Sequence, residues 1–94
     1  MSGKLEEARQ IINAVDAQMA ELFEKRMKAV EQVYAYKREL GLPILDQQRE
    51  TAVTEKNAAL IADDVIREYY IEWLRHLMSV SRDYQHRMQE GECV

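Results

Sequence analysis

Several polar residues stand where the chain's pattern calls for apolar ones, and those residues could do chemistry. Arg26 occupies the heptad slot that Ile12, Met19 and Val33 fill with apolar side chains. A cation on such a seam must be desolvated, and an unpaired buried charge costs several kcal/mol, so an anion is expected beside it. That anion is either an acidic side chain of a neighbouring helix or an acidic ligand. Arg9 and Lys37 share another heptad track, with Asp16, Phe23 and Val30 between them. They lie about 42 Å apart along one helix and cannot meet one small molecule from a single chain. An antiparallel pair of rods could bring Arg9 of one copy near Lys37 of the other; otherwise both are solvated cations.

Two more groups follow. Ser81 and Gln85 are spaced i, i+4 and face the same way as Met78 and Met88, so their face is at least partly buried. They satisfy backbone groups or each other, or they line a cavity with neutral donors. The stretch "GLPILDQQRE" places Asp46, Arg49 and Glu50 together. Acidic residues at a helix start complement the dipole, whereas a cation there is disfavoured. Arg49 is therefore held by Asp46, by Glu50 or by something bound. The chain's net charge of −4 does not exclude a small anion in a local basic pocket.

Other chemistries find no support. His76 and His86 have no metal-ligand spacing with Cys93. The chain has no glycine-rich phosphate loop and no serine elbow. Cys93, in an expected tail, is a poor nucleophile candidate, and as the single cysteine it cannot form an internal disulfide. The tyrosines and Trp73 fall on helical stripes and read as core.

These residues must be positioned by helices. Glycine and proline are nearly absent outside the ends and the 41–43 break, and strand-type alternation is missing. A first helix is expected from about Lys4 to Leu40. Leu5, Ile12, Met19, Val33 and Leu40 repeat every heptad, interleaved with Ala8, Val15, Leu22, Ala29 and Tyr36. Such a rod is about 54 Å long. A compact domain of this size is about 30 Å across. The surplus stripe needs a cover, most simply a second copy related by a two-fold axis. Gly41-Leu42-Pro43 ends the rod, and Asp46 is placed to cap a second helix, about Gln47 to Leu60, with Val53, Asn57 and Leu60 or Ile61 inward. Asp63 caps a third, about Asp64 to Gln89, whose stripe is Ile66, Tyr70, Trp73, Leu77, Tyr84 and Met88. Gly91 is the expected stop.

The 94 residues make one domain, 1–94, with 1–4 and 90–94 expected to fray. A net charge of −4 argues against nucleic acid as a partner. No window approaches the length of a membrane span and no secretory signal is visible, so a reduced, cytoplasmic protein is expected.

The fragments "EEARQIINAVDAQMAELFEKRMKAV", "AYKRELGLPILDQQRE" and "SRDYQ" together resemble the all-helical chorismate mutases, over about Leu5 to Gln85. The resemblance implies an all-α fold of three helices per chain, one very long, intertwined as a helical homodimer. It implies rearrangement of chorismate to prephenate in aromatic amino acid biosynthesis, without cofactor or metal. The family's site maps onto Arg9, Arg26, Lys37, Asp46, Arg49, Glu50, Ser81 and Gln85, with Arg9 reaching in from the partner chain. Arg26 and Arg9 would hold the carboxylates, assisted by Ser81. Lys37 and Gln85 would donate to the breaking ether oxygen. Glu50, with backbone of the Asp46 turn, would receive the ring hydroxyl, and Arg49 would brace Glu50. Val33 and Met78 would belong to the apolar wall. Rival readings are an isochorismate-pyruvate lyase on the same scaffold, and a non-catalytic helical dimerisation or regulatory module. A plain coiled-coil adaptor accounts for Leu5 through Leu40 but not for Arg26, Lys37, Ser81 and Gln85 together.

Overall fold

A computed structural model describes residues 3–92. They form α1 (Gly3–Leu40), α2 (Gln47–Ala58) and α3 (Asp64–Glu92). Expectations that fall on Met1, Ser2, Cys93 and Val94, including the Cys93 tail, lie outside the described residues. The chain divides into two units, 1–32 and 33–94.

The first unit is helix alone. Residues 4–32 hold neither glycine nor proline and are rich in Ala, Glu, Gln, Lys, Leu and Met, all good helix formers. None of its described side chains is buried. Leu5, Ile11, Ile12, Val15, Met19, Leu22 and Phe23 are exposed, whereas Arg26, Met27, Val30 and Glu31 are half-buried. The Lys28–Glu31 ion pair, 3.5 Å long and open to water, adds little.

The second unit owes its turns to local chemistry. Gly41, at φ +67°, ends α1 in the left-handed conformation that a Cβ would disfavour. Its N–H donates to the Arg38 carbonyl and the Leu42 N–H to the Lys37 carbonyl, the paired bonds of a Schellman cap, with Pro43 just beyond. Asp46 Oδ1 accepts the Arg49 backbone N–H at 3.0 Å and caps α2. Asp63 Oδ1 likewise accepts from Val65 and Ile66 and caps α3. Both caps stand where the sequence predicts them.

Where α2 stops is different. It ends at Ala58 rather than about Leu60. The reason lies in Arg67 on α3. Its guanidinium donates to the carbonyls of Ala58, Ile61 and Ala62 and pairs with Asp64. A cation that takes up carbonyls at a helix C-terminus also complements its dipole. Leu60 points to solvent at 77% exposure, and Ile61 is the half-buried member of the pair. At the other end α3 continues through Gly91 to Glu92. Gly41 is the glycine with positive φ among the described residues, so Gly91 stays helical at a cost of about 1 kcal/mol.

Packing follows a line displaced from the predicted stripe. The core is Tyr34, Ile44, Ala58, Leu74 and Met78, joined by the buried polar residues Ser81 and Gln85. On α3 the buried line is thus Leu74, Met78, Ser81 and Gln85, spaced by four, three and four. α2 packs against this helix. Ile66 and Trp73 from the predicted stripe are exposed, and Tyr70, Leu77, Tyr84 and Met88 are half-buried. The apolar surface of α3 is wider than one narrow seam, and among the described residues its Leu74 side is the most deeply buried part. Tyr70 and Trp73 retain a tilted ring contact, with centroids 5.8 Å apart. No helix among the described residues is long and apolar enough to cross a membrane.

Candidate functional site

The second unit carries most of the residues singled out above. Lys37 lies in the last turn of α1, half-buried. Its Nζ donates to the Ile44 carbonyl at 2.6 Å, so the turn after the Schellman cap directs the ammonium. An ammonium has three donors, and this bond leaves two for other acceptors. Lys37 lines a cleft of about 240 Å³ with Tyr34, Arg38, Gly41, Leu42, Ile44 and Gln89.

Ser81 and Gln85 come together on α3. Ser81 Oγ donates to the Leu77 carbonyl at 3.1 Å, and Gln85 Nε2 lies 3.5 Å from the Ser81 carbonyl. Both side chains are more than nine-tenths buried. They do satisfy backbone groups of the preceding turn, as the simpler reading expects. Yet Gln85 Oε1 is buried without a hydrogen-bond partner among the described residues. Leaving such a group unmet costs about 1–3 kcal/mol. Its amide therefore retains both an acceptor and a second N–H beyond its local bond.

Glu50 sits in the first turn of α2, where its charge suits the helix dipole. Its carboxylate is held across to α3 by Arg82, whose Nη1 donates to both oxygens. The cation paired with Glu50 in this structure is Arg82 and not the sequence neighbour Arg49. Arg49 is exposed, and what it gives Asp46 is its backbone N–H, not its guanidinium. Glu50 and Arg82 line a second cleft, about 430 Å³, between α2 and α3, where Gln47, Thr51 and Thr54 face Arg75 and Met78. Thr54 Oγ1 turns back to the Glu50 carbonyl.

The unit therefore joins Ser81 to Gln85, and Asp46 to the Arg49 backbone. Glu50 and Met78 line one cleft, while Lys37 lines a different one. Arg9 and Arg26 belong to the first unit. Arg9 is exposed, and Arg26 is half-buried and has an interaction partner.

Two functional-looking cations escaped the sequence reading. Arg82 stands between Ser81 and Gln85 in "SRDYQ" and four residues after Met78, so helical spacing alone puts it on their side of α3. Arg67 had no comparable signal, because its carbonyl partners belong to a turn.

Among the described residues there is no group of three side chains able to hold a metal ion. Neither the curated proteins nor the solved structures contain a match to the chain. The family model for chorismate mutase type II, however, matches residues 8–86. With a match that spans α2 and most of both longer helices, the chain belongs to the chorismate mutase type II family, whose activity is that of an isomerase.

Proposed function

We propose that the chain converts chorismate to prephenate, and that two copies build each site together. The observation that carries this reading is the family match over residues 8–86, a span that includes every residue assigned to the site, from Arg9 to Gln85. The rearrangement is intramolecular and needs no nucleophile or proton transfer. What it needs is a dianion held in its compact conformer and a place for growing negative charge.

Arg26 and the partner's Arg9 each grip one carboxylate, since a planar guanidinium matches a carboxylate at two points. Ser81 assists one of them, and Arg49 borders the ligand. Fixing both carboxylates favours the conformer whose reacting carbons are close. As the ether bond breaks, Lys37 and Gln85 donate hydrogen bonds to its oxygen. The Ile44 carbonyl supports this role by orienting the Lys37 ammonium. The spare N–H of the buried Gln85 amide supports it likewise. Glu50 and the backbone of the Asp46 turn receive the ring hydroxyl. Val33 and Met78 form the apolar wall. Magnitudes are adequate: a rate enhancement of ~10⁶ needs about 8 kcal/mol. Two or three preorganised donors at roughly 3 kcal/mol each, with conformer restriction, supply that.

The dimer is supported by the stripe on residues 3–32, where Leu5, Ile12, Val15, Met19 and Leu22 are all exposed. A helix whose apolar face stays in water has little to stabilise it beyond propensity. Pairing with a second copy buries that face and delivers Arg9 to the other protomer's site.

The test is chorismate turnover with product identification. Loss of chorismate absorbance with formation of prephenate is the expected result. Pyruvate with salicylate would assign the lyase reaction instead, and no turnover would leave a non-catalytic dimer. Shared sites are tested by mixing Arg9→Ala and Lys37→Ala chains, each nearly inactive alone. Random pairing should restore about a quarter of wild-type activity, because half the dimers then hold one intact site. No recovery after exchange would place Arg9 in its own chain's site.

A further inference from the structure

Glu50 is held by a residue to which the family resemblance gives no role. Arg82 Nη1 lies 2.5 Å from both Oε1 and Oε2 of Glu50. Both side chains are half-buried, at 29% and 21% exposure, so the pair is screened less than a surface ion pair. The remaining Arg82 donors, Nε and Nη2, have no protein partner among the described residues. An ionised carboxylate offers about four lone-pair sites on its two oxygens. Arg82 takes one on each, so Glu50 can be held and still accept a hydroxyl.

We propose that Arg82 is a positioning residue that sets recognition of the substrate's ring hydroxyl through Glu50. The inference rests on the chorismate reading above and deepens it. A glutamate side chain in the first turn of a helix samples several rotamers, and ordering it costs entropy. The bond from α3 removes that freedom before substrate arrives. A carboxylate beside a dianionic ligand is also repelled by it, and the Arg82 charge offsets that repulsion. Arg49, the nearer candidate in sequence, is exposed and does not hold Glu50. Met78 lies one turn before Arg82 and lines the same cleft, which ties the pair to the apolar wall assigned above.

The experiment compares kcat/KM for chorismate with that for the analogue lacking the ring hydroxyl. A site built to bond a hydroxyl rejects the analogue without it, and that ratio is the readout. Arg82→Gln should lower the ratio at least about tenfold, since a hydrogen bond to a charged group is lost. Arg82→Lys, which keeps a cation, should recover it to within about threefold of wild type. Glu50→Gln combined with Arg82→Gln should lose little more than Glu50→Gln alone, as coupled residues do. Should Arg82→Gln fail to fold, Arg82→Met serves the same comparison. A purely structural ion pair would lower Tm and leave the ratio unchanged, which overturns the proposal. Arg82→Lys no better than Arg82→Gln, or additive losses in the double variant, would overturn it too. Absence of wild-type turnover sinks the chorismate reading and this inference with it. Wild-type turnover with an unchanged ratio in the Arg82 variants sinks this inference alone.

Discussion

Residues 3–32 and residues 33–92 are both amphipathic helix, yet they use their apolar residues differently. In 33–92 the line Leu74, Met78, Ser81, Gln85 is buried, and Tyr34, Ile44 and Ala58 join it. In 3–32 the heptad residues Leu5, Ile12 and Met19, with Val15 and Leu22 beside them, remain exposed, and no described side chain is buried. Residues 33–92 have loops, caps and carbonyl-binding cations that fold the chain back on itself. Residues 3–32 have no glycine after Gly3, no proline and no turn, so they form uninterrupted helix. Amphipathic periodicity says that a face will be covered. It does not say whether the cover comes from the same chain.

The comparison can be broken by charging the stripe. Ile12→Asp together with Leu22→Asp alters no site residue, but should abolish the dimer in scattering and lower turnover to the limit of detection. A folded, active protomer carrying both changes would show that residues 3–32 need no second copy. The reciprocal change keeps assembly and removes chemistry. Lys37→Ala should leave the dimer intact and lower kcat by about 10²–10³, the usual loss for one oxyanion donor. Near-wild-type kcat would remove Lys37 from the mechanism.

Smaller effects sharpen the contrast. Wild-type activity should be flat from about pH 6 to 8, because the Gln85 amide does not titrate. Gln85→Glu should make kcat rise as pH falls, since only the protonated acid can donate to the ether oxygen. A flat profile in that variant would contradict the donor role. Arg67→Ala should destabilise the protein by about 1–3 kcal/mol in denaturant unfolding, as the carbonyls of Ala58, Ile61 and Ala62 lose a charged donor. Lys28→Ala, in the first region, should change stability by less than about 0.5 kcal/mol, because its ion pair is exposed. A larger loss at Lys28 than at Arg67 would reverse the ranking of the two regions.

Legibility followed the range of the interaction. The Gly41 cap, the Asp46 cap and the Asp63 cap were readable because each is closed by backbone within a few residues. The face shared by Ser81 and Gln85 was readable from i, i+4 spacing. The brace on Glu50 was not, since Arg82 lies on the following helix, and Arg49 was the nearer cation in sequence. Leu60 and Ile61 were indistinguishable by pattern, and the turn closed by Arg67 exposes the first and half-buries the second. On α3 the pattern located an apolar side but not which part of it α2 covers.

By itself, then, the amino-acid sequence determined three helices, their caps and an apolar stripe too long for one small globule. These depend on backbone sterics and local hydrogen bonds, which neighbours in the chain settle. The tertiary structure decided which carboxylate meets which cation, which side of α3 is buried, and that Gln85 enters the core with its Oε1 unmatched. Those outcomes depend on side chains that meet only after helices pack, where desolvation makes the choice of partner costly.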